Sequence, residues 1–141
     1  MVLKGRLLAE SLRVGHDLEV PSLKVVRIGR HDVSESTKPF ADTTETSISD
    51  PGGASSSQPS VWTFVDFEAP DESADQIADA LADALLADHG WWADFIVGND
   101  HVVVFAGKVF RYRIGDNDGR QEAVEYGLAA GTPRHQLDWG D

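Results

Sequence analysis

The spacing of apolar residues along this chain changes several times, and each change marks an element. The densest apolar stretch runs from Gly90 to Arg113, with short breaks at Gly98-Asn99-Asp100 and at Gly107. Such breaks between β-branched and aromatic runs predict a three-stranded antiparallel meander over 91–97, 101–106 and 108–114. In its last strand Val109, Arg111 and Arg113 alternate with Phe110, Tyr112 and Ile114, so the two sets take opposite faces. By the same alternation the neighbours Trp91 and Trp92 are expected on opposite faces.

Upstream, Val61 to Glu68 (VWTFVDFE) is apolar on both faces up to Val65, which predicts a strand with neighbours on either side. Asp66 interrupts it. Leu23 to Val33 alternates after Lys24, with Val26 and Ile28 on one face and Val25 and Arg27 on the other. That predicts a half-buried strand with a basic outer face. Leu3, Leu7, Leu8 and Leu12 have nearly helical spacing, but Gly5 weakens a helix. Helix and strand both stay open for residues 3–12.

After Pro70 the period becomes 3.6. A helix is expected from Ala74 to about Asp88, capped by Ser73 and stopped by Gly90. Ile77, Leu81 and Leu85 form its apolar stripe, flanked by Ala74, Ala78 and Ala84. Asp71, Asp75, Asp79 and Asp83 recur every fourth residue on another face. Like charges at that spacing weaken a helix by a few tenths of a kcal/mol per pair (about 0.2–0.5), so helix stability does not explain the stripe. A second helix is expected over Gln121 to Ala130 despite Gly127, with Val124, Leu128 and Tyr126 toward the sheet. Leu137 and Trp139 are expected to fold back onto the domain.

Ser34 to Ser60 breaks the pattern altogether. Ser, Thr, Asp, Gly and Pro dominate it, and only Phe40 and Ile48 offer apolar anchors. It buries too little to offset the cost of ordering it, and reads as a long disordered loop inside a single domain spanning 1–141. The resulting expectation is an α+β domain. It has a mostly antiparallel sheet of about five strands and two helices on one face.

Charge narrows the partners. The chain carries 24 Asp and Glu against 12 Lys and Arg, a formal charge of −12. That opposes binding to nucleic-acid phosphates and docking on anionic membranes. It is compatible with a basic protein partner, with metal cations, or simply with solubility; a second copy of the chain would be held through an uncovered sheet face or edge. The absence of cysteine excludes disulfides, thiolate nucleophiles and Cys-ligated metals. The first residues lack the unbroken apolar core of a secretory signal, and no run approaches the roughly 20 apolar residues of a membrane span. A soluble, cytoplasmic protein is expected.

Chemistry-bearing motifs are sparse. RIGDNDGR alternates oxygen ligands but lacks the spacing and closing Glu of a calcium loop, so it reads as a turn entering a helix. No cofactor or metal site is expected. The catalytic arrangement the residues allow pairs His101 with Asp66 or Asp94, as a base with its orienting carboxylate. The structural alternative pairs both aspartates with Arg111, Arg113 or Lys108.

The segments GWWADF, HVVVFAGKVFRY and AVEYGLAAGTPRHQLDW, with the opening LLAESLRVGHDLEV, are similar to small single-domain bacterial proteins of uncharacterised activity. The resemblance spans most of the chain outside the Ser-rich stretch and implies a compact domain without implying an activity. The leading functional expectation is a non-enzymatic interaction protein. Its surfaces are the acidic stripe of Asp71, Asp75, Asp79 and Asp83 and the aromatic sheet at Trp91 and Trp92. The alternatives are a ligand-binding domain or enzyme with a carboxylate-containing cleft, and a purely structural domain.

Overall fold

Six segments with strand-like patterning pair into one antiparallel sheet in a computed structural model that describes residues 2–33, 59–87, 90–132 and 134–137. The strands are β1 (Val2–Leu8), β2 (Lys24–Asp32), β3 (Val61–Pro70), β4 (Trp92–Val97), β5 (Asp100–Phe105) and β6 (Lys108–Arg113). Their order across the sheet is β2-β3-β1-β4-β5-β6. Helix α1 (Ala74–Ala84) follows β3, and α2 (Asn117–Ala130) follows β6. The domain is α+β, as the sequence predicts, with six strands in place of about five. The sixth is β1, the segment whose spacing left helix and strand open. It lies mid-sheet between β3 and β4.

β1 settles as a strand because its alternation serves two faces at once. Leu3 and Leu7 enter the main core, whereas Lys4, Arg6 and Leu8 take the other face. Gly5 sits where Phe95 and Phe67 converge: a Cβ there would clash with Phe95 and approach Phe67 Cζ to 2.6 Å. The two rings meet edge to face, 6.3 Å apart, over that gap.

The main core fills the space between α1 and one sheet face. Ile77 and Leu81 of α1 and Leu85 just beyond it pack with Phe67, Phe95, Val102 and Val104. The helix ends at Ala84, four residues short of the expected Asp88. Leu85 turns extended and bridges to Leu12, while Leu86 N–H donates to Ser11 C=O. Arg13 donates to the carbonyl of Asp83 at 2.6 Å, a cation on the helix C-terminus where the dipole favours it.

The two helices lie on opposite faces, in contrast to the expectation of one shared face. α2 packs on Phe105, Phe110 and Tyr112, whose strand neighbours Val104 and Val109 face α1. The residues that meet the sheet differ only in part from expectation, since Tyr126 packs on Phe105 and Phe110 as expected. Ala123 and Gly127 are buried, whereas Val124 and Leu128 are half-buried. A Cβ on Gly127 would lie 2.8 Å from Leu137 and 3.1 Å from Phe105, so the glycine sets how closely the helix approaches. Asp116 caps α2 by accepting from Asp118 and Gly119 N–H, both at 3.1 Å. The oxygen-rich RIGDNDGR run is thus a helix entry.

β2 is exposed along almost its whole length and is not the half-buried strand expected. A bulge between Val25 and Arg27 breaks the alternation. Arg27 then stands opposite Asp66, and Ile28 opposite Val65. The disordered loop expected over 34–60 lies, apart from Pro59 and Ser60, outside the described residues, as does Trp139. Leu137 is buried, as expected.

Candidate functional site

Helix α2 covers the β5–β6 end of its face, and among the described residues no other α-helix covers the part toward β1 and β3. Sequence alternation determines what stands there. Arg6 and Leu8 come from β1, Trp62, Phe64 and Asp66 from β3, and Trp92 and Asp94 from β4. With Leu7, Trp91 and Gln136, all of these but Asp66 line a pocket of about 260 Å³.

Its walls are mainly aromatic. Trp62 meets Trp91 edge-on at 5.8 Å and Phe64 at 6.2 Å. Trp91 and Trp92 both line the pocket, which corrects their expected placement on opposite faces. The strand begins only at Trp92. Trp91 follows Gly90, whose φ of +68° turns the chain before alternation starts. The indole N–H of Trp62 is buried without an acceptor among the described residues. A shallower groove of about 430 Å³ runs on from the pocket past Lys4, Val26, Asp66, Glu68 and Ile96.

Two of the three catalytic candidates come together. Asp94 Oδ2 lies 2.8 Å from His101 Nε2, and His101 Nδ1 lies 3.0 Å from the Tyr112 hydroxyl. Tyr112 is directly cross-strand from His101, and Asp94 is its diagonal neighbour on the same face. An imidazole that donates Nε2–H to Asp94 and accepts the Tyr112 proton at Nδ1 satisfies both nitrogens without burying a charge. The roles are the reverse of those expected. His101 is buried behind the carboxylate, its side chain 3% exposed, and Asp94 at 30% is the member that faces the pocket.

Asp66 belongs to a different arrangement. Arg6 donates to both its oxygens at 2.6 and 3.2 Å, and Arg27 approaches at 3.4 Å. The hydrogen bond from Arg6 holds the Asp66 carboxyl below its ordinary range, against the opposing effect of burial. The same bond raises the Arg6 pKa, and the guanidinium lies 4.8 Å from the Phe64 ring centroid. The expected partners are elsewhere: Arg111 binds Asp100 at 2.9 Å and approaches Asp75 at 3.7 Å.

On the far side of the sheet, Asp75, Asp79 and Asp83 are exposed on α1. Asp71 is half-buried in the turn preceding the helix, with one carboxylate oxygen sealed from solvent and unpartnered among the described residues. The acidic stripe and the Trp91–Trp92 pair, expected to serve interaction, therefore stand on opposite sides. Sequence reading missed Arg6, Trp62, Phe64 and Gln136 as pocket residues. Alternation from β1 and β3 would place the first three on one face once β1 is known to be a strand. Gln136 reaches the pocket from a separate turn and leaves no such signal.

No helix among the described residues is long and apolar enough to cross a membrane, and no three His, Asp or Glu side chains among them gather as a metal site. No protein-family model, no curated protein and no solved structure matches the chain.

Proposed function

We propose that the protein is a binding module whose open sheet face receives a small ligand in the aromatic pocket. The observation that carries this reading is the pocket itself: about 260 Å³, walled by Trp62, Phe64, Trp91 and Trp92, with Asp94 as an accessible polar group. Small-ligand sites have this make-up, apolar walls with a few placed polar groups, and the volume suits a molecule of about one ring. The enzyme alternative is the weaker one, because the imidazole that would act as base is sealed behind Asp94. Ligand-observed NMR with a library of single-ring fragments tests the proposal. Fragments should bind the wild-type protein and lose affinity in Phe64→Ala and Trp92→Ala. A library without hits, or hits indifferent to both variants, overturns it.

A second reading is an interaction with a basic protein or another copy of the chain. β2 favours it, since this edge strand exposes Val25, Val26 and Ile28 together. Exposed edges are where strands add. Light scattering on the eluting protein, alone and after capture of partners, separates a monomer from an assembly.

A further inference from the structure

We infer that the ligand of the aromatic pocket is a small organic cation, an ammonium on an apolar body of about one ring. This inference rests on the binding reading above and gives it a ligand class.

The polar groups at the pocket wall differ in what they have left to offer. The Trp62 N–H is closed off from solvent, so it bears on the fold more than on a ligand. Arg6 is engaged: two of its hydrogen bonds go to Asp66, and Phe64 lies under its guanidinium. Asp94 is different. One oxygen takes the His101 Nε2 contact, the His101–Tyr112 pair fixes its orientation from behind, and almost a third of the side chain stays open. It is a pre-oriented carboxylate at the edge of an aromatic wall.

Such a wall and such a carboxylate attract the same kind of ligand. Ring faces are negative and favour cations, more so where water is excluded. The chain's formal charge of −12 raises the local concentration of cations and repels anions. A carboxylate ligand would need Arg6, and taking it from Asp66 would break a bidentate pair. A neutral ligand would keep the aromatic contacts and could donate one hydrogen bond to Asp94, but would leave its charge unmatched. A cation uses the wall and the charge of the carboxylate together without dismantling a contact, sharing Asp94 with an Arg6 guanidinium whose hydrogen bonds go to Asp66.

The test uses three ligands of nearly the same shape on the whole wild-type protein: phenethylamine, phenethyl alcohol and hydrocinnamate. Three of the four tryptophans line the pocket, so intrinsic fluorescence reports occupancy, and calorimetry gives the affinities. The amine should bind at least about tenfold more tightly than the alcohol, with the carboxylate weakest. In Asp94→Asn, with folding checked by its urea transition, the amine should fall to the level of the alcohol. If that variant does not fold, the comparison on the wild-type protein decides alone. An alcohol or carboxylate that binds as tightly as the amine overturns the cation and leaves the pocket reading standing. If none of the three binds at millimolar concentration, both fall.

Discussion

Asp94 and His101 sit diagonally across β4 and β5 on one sheet face, 2.8 Å apart, with the carboxylate toward the pocket and the imidazole toward the interior. That order determines what the pair can do. A ligand meets Asp94 first, and His101 acts on it only through Asp94. Tyr112 closes the chain from β6 at 3.0 Å, so three consecutive strands contribute one side chain each. The chain holds a carboxylate in place in the way that second-layer hydrogen bonds orient metal or substrate ligands.

Tyr112→Phe removes the hydroxyl from the buried His101 and keeps the ring. The expected loss is about 1 kcal/mol of stability, the net worth of one hydrogen bond, rising toward about 3 where the buried imidazole gains no replacement. Urea unfolding at neutral pH measures it. A variant as stable as wild type would show that the Tyr112 hydroxyl does not hold the imidazole.

Acid should weaken the fold through Asp66 and Glu10. Arg6 lowers the pKa of Asp66; burial would raise that of Glu10, but hydrogen bonds from the Thr63 N–H and hydroxyl, at 2.7 and 2.8 Å, outweigh it. Both groups bind protons more weakly folded than unfolded. Their contribution is therefore complete above the unfolded carboxylate range, about pH 5, and is lost as the pH falls through their lowered folded pKa values. Denaturation midpoints measured across that window should drop, and Asp66→Asn should flatten the drop. Equal slopes in both proteins would remove Asp66 from the account.

Gly5→Ala places a methyl group against Phe95 and Phe67 in the middle of the sheet. Overpacking of this kind costs about 1–3 kcal/mol. Thermal unfolding should show it, and the neighbouring Asp94 carbonyl, 2.5 Å from the new Cβ, should shift in amide spectra. An unchanged melting temperature would mean that the two rings are not held over Gly5.

Asp79 stands between Asp75 and Asp83, each four residues away on the exposed side of α1. Asp79→Lys turns two repulsions into attractions and should stabilise the protein by about 0.5–1 kcal/mol at low ionic strength. Most of that gain should vanish in about 1 M salt, where charges are screened beyond about 3 Å. A gain that persists in salt would point to helix propensity in place of charge.

Much of this fold is visible in the sequence where a local pattern and its tertiary use agree. The meander of β4, β5 and β6 is an example, because glycine-bearing turns and period-two alternation specify it without reference to the rest of the chain. β1 is not, since Leu3, Leu7 and Leu8 serve two cores on opposite faces and so imitate helical spacing. The end of α1 was hidden for a similar reason: Leu85 fits the helical stripe but is taken up by a bridge to Leu12, more than seventy positions away in the chain. The face chosen by α2 depends on the fit of Gly127 against Phe105, which spacing does not encode. Asp94 and His101 were legible as candidates by residue type, but their order relative to the pocket follows from strand register alone.

Val33 N–H donates to Ser60 C=O at 2.6 Å, which carries the ladder of β2 and β3 one rung past the last strand residues. The polar stretch between them therefore departs from and returns to a single closed stem. The entropy of closing such a connection grows only with the logarithm of its length. To the sheet, a few residues there and a few dozen are nearly the same hairpin. The closed stem, independent of how long a connection it carries, sets the register that places Phe64 and Asp66 beside Arg6.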